Sequence, residues 1–230
     1  MRTARHGGAV ARGHPPGPRR RLTFLDRADA GRALARRVVD AAIEPTVVLG
    51  LARGGVPVAA EVATALGVPL DVFVVRKLGV PGHRELAMGA VATGGVRVLN
   101  ERVVASLSIP EATIDAVAAD EERELARREA VYRSGRAPLD LVGTGVLLVD
   151  DGLATGATMR AAIEAARMHV PRAVSVGVPV GARATCEELT KIADAVVCVE
   201  MPANFSAVGQ WYRDFSQTTD DEIVRLLAGS

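Results

Sequence analysis

Hydrophobic and polar positions along this chain follow two alternating periods. From Asp26 to Ala42 the apolar residues Ala30, Leu34, Val38 and Ala41 recur at helical spacing with arginines between them, predicting an amphipathic helix that Pro45 ends. Thr46 to Leu51 reads as the first core strand, and a second helix is expected over Val56 to Leu66 after Gly54-Gly55. Leu70 to Val75 predicts a second strand that ends in Arg76-Lys77. Glycine, proline and charge dominate from Leu78 to Glu85, which predicts a loop and a candidate lid. A hairpin of Ala87 to Ala92 and Val96 to Leu99 follows, turning at Thr93-Gly94-Gly95. Ser108-Ile-Pro-Glu111 has the capping-box pattern ahead of a long helix to about Tyr132, with Glu124 and Arg128 spaced for an i, i+4 pair. The chain then alternates regularly: a strand over Val146 to Val149, a helix over Ala157 to Met168, a strand over Ala173 to Val178, a helix over Arg183 to Ala193, and a strand over Ala195 to Val199. That order predicts an α/β fold, an open parallel twisted sheet with helices on both faces.

Composition adds bounds. At 230 residues and 49 % hydrophobic, the chain can bury one substantial core, and one domain is expected. No apolar run approaches the ~18 residues of a membrane span, and the N-terminus has no apolar core of the signal-peptide kind, so a cytoplasmic location is expected, with no membrane partner. Cys186 and Cys198 lack metal-ligand spacing and suit reduced thiols rather than nucleophiles. The formal net charge of +1 conceals an asymmetry: residues 1–21 carry six arginines and no acid, so the rest of the chain nets −5. With its glycines and prolines this arm cannot form a core and is expected to be disordered. Such an arm can bind nucleic acid, but arginine-rich extensions are more often solvated tails, and nucleic acid is not an expected partner.

The candidate chemistry concentrates at strand ends, where open α/β sheets bind ligands. Asp150 and Asp151 end the Val146–Val149 strand. On the pair alone, they could bind sugar hydroxyls, a divalent metal or both, or one could cap a helix while the other is a surface charge. Gly152-Leu-Ala-Thr155-Gly156-Ala-Thr158 then supplies small residues, hydroxyls and backbone N–H groups at a helix start, a cradle for a monophosphate. It lacks the lysine and spacing of a P-loop and is not the dinucleotide glycine pattern. Gly50-Leu-Ala-Arg53-Gly54-Gly55 is a second phosphate-suited turn with one guanidinium.

The acid pair followed by Ala-Thr-Gly-x-Thr resembles the phosphoribosyl-diphosphate (PRPP) signature of type I phosphoribosyltransferases, and the element order extends the resemblance over about residues 24 to 200. The resemblance implies that fold, with a core over 22–200 that includes the lid and hairpin 78–99, and a small C-terminal hood and helix over 201–230. It implies that Asp150 and Asp151 contact the ribose hydroxyls, that Ala154, Thr155, Gly156, Ala157 and Thr158 hold the 5′-phosphate, and that Arg53, Gly54, Gly55 and Lys77 hold pyrophosphate. A non-proline cis peptide at Ala52-Arg53 is implied too. His83 and Arg84 of the lid would meet the departing pyrophosphate, and Glu85 or Glu200 are candidates for base activation, because Ala154 stands where hypoxanthine-guanine-type members place an aspartate. Gly152 also departs from the branched apolar residue of many relatives, which is expected to loosen the turn. The segment from Met201 to Phe215 matches the hood that holds the base. Phe205, Trp211 and Tyr212 would offer aromatic faces to a planar heterocycle, with core packing as the other reading, favoured for Phe215. The implied ligands are PRPP with Mg²⁺ and a small-molecule nitrogen acceptor, and the implied assembly is a homodimer. A PRPP- or nucleotide-binding regulator without turnover is the alternative.

Overall fold

The computed structural model describes residues 23–229; the arginine-rich arm, 1–21, lies outside them. The elements are α1 (Arg27–Asp40), β1 (Val47–Leu51), α2 (Gly55–Leu66), β2 (Leu70–Phe73), β3 (Val75–Val80), β4 (His83–Ala92), β5 (Val96–Leu99), α3 (Glu101–Ser106), α4 (Glu111–Arg133), β6 (Gly145–Val149), α5 (Ala157–Arg167), β7 (Ala173–Val180), α6 (Arg183–Leu189), β8 (Ala195–Glu200), a 3₁₀ turn (Val208–Trp211) and α7 (Asp220–Ala228).

Five strands form a parallel sheet in the order β2-β1-β6-β7-β8, as the alternating pattern required. Side-chain alternation assigns each face its helices. Val48, Leu147 and Val149 pack with Leu34 of α1, Val58 and Val62 of α2, Tyr132 of α4 and Ile223 of α7. Leu49, Val146, Leu148, Val174 and Val176 pack on the other side with Met159 and Ile163 of α5 and Leu189 of α6. From the central pair β1 and β6, the chain winds outward in opposite directions, to β2 by way of α2 and to β7 by way of α5. A crevice opens where the winding reverses, at the carboxyl ends of β1 and β6, and both phosphate-suited turns lie there.

A second sheet, β3-β4-β5, corrects two sequence expectations. The Leu78–Glu85 stretch is not a loop: β3 runs to Val80, β4 begins at His83, and they pair antiparallel about Pro81-Gly82. Pro81 presets φ and Gly82 takes φ +80°, the requirements of a type II turn, so the residues read as loop-forming are a hairpin tip with short strands either side. Arg76 and Lys77 therefore lie within β3, beyond the end of β2. Helix α3, capped by Asn100 Oδ1 accepting from Val103 N–H at 3.3 Å, was not expected. Helix α4 starts at Glu111 after Pro110, with no side-chain cap, while Ser108 sits at φ +49°, so the capping-box reading fails. The expected Glu124–Arg128 pair is present at 2.8 Å.

One buried ion pair fastens α4 to the sheet. Arg133 Nε donates to Asp71 Oδ1 at 3.1 Å with both side chains almost fully enclosed, and its Nη2 donates to the Val72 carbonyl at 2.9 Å. Asp71 also accepts from Leu139 N–H, so the carboxylate is satisfied on several sides, as a buried charge must be.

Candidate functional site

The two turns touch. Gly50 of β1 is in register with Val149 of β6, so the turn after β1 emerges beside Asp150 and Asp151. A Cβ at Gly55 would come within 2.5 Å of the Val149 carbonyl and 2.9 Å of Asp150 Cα, and one at Gly54 would overlap the Asp151 carboxylate. The glycine pair is thus required by close approach of the β1–α2 turn to the acids. The Ala52–Arg53 peptide bond is cis, as the resemblance implied.

Asp150 Oδ1 accepts from the Asp151 N–H at 2.8 Å. Burial, and then the neighbouring Asp151 charge, push Asp150 well above the usual carboxylate range. Burial raises Asp151 too, opposed by Arg27 of α1, whose Nε and Nη2 lie 2.9 and 2.8 Å from Asp151 Oδ2. Arg27 is itself held from two sides: Nη1 donates to the Ser216 carbonyl at 2.6 Å, and the guanidinium stacks 4.1 Å from the centre of the Phe215 ring. Tyr212 Oη donates to the Asp151 carbonyl at 2.5 Å, and burial together with the Asp151 charge raises that phenol.

The turn after the acids leads into α5 through Gly156 at φ +72°, and no side chain caps the helix. The turn and the first residues of α5, Ala157 to Met159, line a cavity of ≈ 170 Å³ together with Asp150, Gly152 and Val208. The turn is braced from behind: Thr185 Oγ1 of α6 donates to the Ala154 carbonyl at 2.7 Å, and Arg160 Nη2 donates to the Thr155 carbonyl at 2.5 Å. Gly152 does not loosen it, because Val208 occupies the space a side chain there would need.

Other expected residues are placed less centrally. Arg53 reaches Asp220 at the start of α7, 3.8 Å away, and Asp220 also accepts from Tyr132 Oη at 3.1 Å. Arg76 is paired with Glu121 of α4 at 2.6 Å; Lys77 is exposed on β3, and His83 is exposed at the start of β4, where Arg84 and Glu85 follow it in the chain. Glu200 ends β8, where its carbonyl accepts from Gly181 N–H. Trp211 and Tyr212 are only 5 % and 6 % exposed and pack with Phe24, Ala30, Ala33 and Val180. Phe205 packs at the edge of that cluster. Phe215 is 38 % exposed, which reverses the order expected for these aromatics.

The sequence reasoning missed Arg27, Phe24, Val208 and Thr185. Phe24 N–H donates to the Trp211 carbonyl at 2.8 Å, and Arg213 N–H to the Phe24 carbonyl at 2.9 Å, so the segment before α1 is stitched to the segment after β8. The signal available for Arg27 was an arginine directly after a helix N-cap, Asp26, in the first turn where a cation is unfavourable.

A five-stranded parallel sheet whose winding reverses between β1 and β6, with helices on both faces, is the type I phosphoribosyltransferase class of fold. The chain matches the phosphoribosyl transferase domain family over residues 23–215 and belongs to it. A Mycobacterium tuberculosis (strain H37Rv) protein provisionally named a phosphoribosyl transferase is 51 % identical over 204 residues, covering 89 % of this chain and 46 % of that protein. The chain thus spans about half the length of this curated relative. The crystal structure of TT1426 from Thermus thermophilus superposes with a TM-score of 0.82 at 41 % identity, covering 90 % of this chain and 99 % of that one. Among the described residues, no helix is long and apolar enough to cross a membrane.

Proposed function

We propose that this protein binds PRPP with Mg²⁺ and transfers the 5-phosphoribosyl group to a nitrogen of a small heterocyclic acceptor, releasing pyrophosphate. The observation that carries the reading is the contact between the two turns, with Gly54 and Gly55 packed directly on Asp151 and Asp150. On this reading, that contact would set the ribose, 5′-phosphate and pyrophosphate positions within the span of one substrate. The carboxylates accept the ribose hydroxyls, and the uncapped start of α5 takes the 5′-phosphate.

Two adjacent carboxylates, with no larger cluster of His, Cys, Asp or Glu among the described residues, fit a hard cation held chiefly by substrate oxygens and water. Mg²⁺ would neutralise the charge that builds on pyrophosphate. Arg53, turning from Asp220, and Lys77 add cationic groups to the leaving oxygens, and the hairpin tip that carries His83 and Arg84 would close over them. This chemistry depends on positioning and charge stabilisation, without a covalent enzyme intermediate. Phe215, stacked by Arg27 and 5.0 Å from the Tyr212 ring, would border the acceptor, with Trp211, Tyr212 and Phe205 in the adjoining core cluster. Glu200, and Glu85 by its place in the chain after His83, are the proposed candidates to take an acceptor proton.

The test is pyrophosphate release from PRPP and Mg²⁺ in the presence of a panel of nucleobases and related heterocycles. At least one should give turnover above the Asp150→Asn, Asp151→Asn double variant. Tight PRPP binding with no turnover from any acceptor would overturn the transfer and leave a PRPP-binding regulator.

A further inference from the structure

Directly behind the phosphate turn, the fold brings its two cysteines to one point. Cys186 lies on α6 and Cys198 on β8, and Gly181, at the end of β7, stands between them. A Cβ built on Gly181 would lie 2.7 Å from Cys186 Sγ and 3.4 Å from Cys198 Sγ, so both sulfurs fill the space left by the missing side chain. Both thiols are free, and both line a cavity of ≈ 260 Å³ with Arg37, Arg183, Thr190 and Met201, which gives a small reagent a way in although the residues themselves are buried. The Cys198 thiol donates to the Glu200 carbonyl at 3.2 Å.

The two thiols differ. Interaction with the Cys198 thiol, aided by the Arg183 charge, holds Cys186 below the ordinary thiol range, whereas the same interaction and burial push Cys198 up. One thiol is therefore suited to attack and the other to resolve. Neither has a part in the proposed transfer.

Their surroundings connect them to the phosphate turn. Gly181 forms a bridge with Leu153 and donates its N–H to the Glu200 carbonyl at 3.0 Å, and Ala182 N–H donates to the Leu153 carbonyl at 2.9 Å. Thr185, adjacent to Cys186, holds the Ala154 carbonyl, and its methyl group occupies the space where a Gly156 side chain would project. Thr185, which braces the turn, is the neighbour of Cys186 on α6, so strain from a bond between Cys186 and Cys198 has a covalent path to that brace.

We propose that Cys186 and Cys198 form a hydroperoxide-sensitive dithiol whose closure to a disulfide loosens the 5′-phosphate turn. The Cys186 thiolate attacks one peroxide oxygen, the O–O bond breaks, and the other oxygen leaves with a proton as alcohol or water, giving a sulfenic acid. The Cys198 sulfur, losing its proton, then attacks Cys186 Sγ and expels the hydroxyl, which leaves with that proton as water. Two thiols are oxidised and one peroxide is reduced.

The experiment treats the full-length protein with hydrogen peroxide under native conditions and follows intact mass, peptide mapping, and amide hydrogen exchange across residues 153–158. Oxidation is expected to remove two hydrogens, to link Cys186 with Cys198, and to speed exchange in that turn, all reversed by dithiothreitol. Cys198→Ser should accumulate a dimedone-trappable sulfenic acid at Cys186, and Cys186→Ser should resist oxidation at Cys198. Because the functional consequence rests on the PRPP reading, PRPP affinity is measured on the same samples, and about a tenfold loss on oxidation is expected. Failure to form the disulfide, or a disulfide that leaves the turn's exchange unchanged, overturns the proposal. Reduced protein that does not bind PRPP overturns the functional reading instead, and the mass and exchange results still judge the dithiol.

Discussion

Replacing Arg27 with methionine measures how strongly the site depends on an internal counter-ion. Arg27 gives Asp151 Oδ2 two contacts, at 2.9 and 2.8 Å, and the two side chains are 13 % and 15 % exposed. Removing one partner of a fully buried pair costs about 3–5 kcal/mol, while an exposed pair contributes under about 1 kcal/mol. At this partial exposure the loss should be about 2–3 kcal/mol while Asp151 stays ionised, with about 0.5 kcal/mol more from the lost stacking on Phe215. Methionine retains much of the arginine stem, so the change reports on charge. For a chain of this size, each kcal/mol lowers Tm by about 2–4 °C, so a fall of about 5–14 °C is expected near neutral pH. The pH dependence follows from the direction of the Asp151 shift. Burial already raises the folded-state value above the unfolded one, and without Arg27 it rises further. A carboxyl raised in this way binds more protons folded than unfolded, so stability falls as pH rises through the folded-state value. The gap between Arg27→Met and wild type should therefore be widest at neutral to alkaline pH and narrow on acidification toward the ordinary carboxylate range. Calorimetric melts across that range provide the assay, with Arg27→Lys as the charge-preserving control. A gap that is independent of pH, or one that widens on acidification, would refute the reasoning.

The raised Asp150 predicts that binding of PRPP with Mg²⁺ drives off a proton, so affinity should weaken as pH falls from neutral; titration calorimetry in buffers of different ionisation enthalpy reads the released proton directly. Gly152→Ala places a methyl group against Val208 and should destabilise by about 1–3 kcal/mol, and Val208→Ala should recover part of that loss in the double variant, a coupling that urea melts can measure. Asp71→Ala leaves the enclosed Arg133 with only the more exposed Glu129 carboxylate, 2.9 Å from Nη1, and should cost about 2–3 kcal/mol in the same assay, whereas a loss below about 1 kcal/mol would show that the Asp71 pair is solvated.

What the sequence revealed, and what it concealed, follows from the range of the interactions. The five parallel strands were legible because strands buried on both faces leave continuous apolar runs such as Val146–Val149, and the acid pair was legible because it ends one of them. The β3–β4 hairpin was concealed because Gly79, Pro81 and Gly82 read as a loop, when Pro81-Gly82 needs only two positions to reverse the chain. Arg27 was concealed for a different reason. Its role is set by Asp151, 124 residues away, and by Phe215 beyond β8; its place in the first turn of α1 marks it as unusual, but no local pattern names those distant partners. The aromatic order was inverted by the same kind of contact: pairing of Phe24 with the 211–213 segment seals Trp211 and Tyr212 inside and leaves Phe215 at the surface.

The most direct measurement is calorimetric titration of PRPP with Mg²⁺ into the wild-type protein and into the Asp150→Asn, Asp151→Asn double variant. Each carboxylate's charge-assisted hydrogen bonds contribute about 1.5–3 kcal/mol, so saturable one-to-one binding should weaken by at least about 100-fold in the variant while its melting behaviour remains cooperative. Wild-type protein that does not bind PRPP, or a double variant that binds it equally well, would contradict the assignment of this crevice as a phosphoribosyl site.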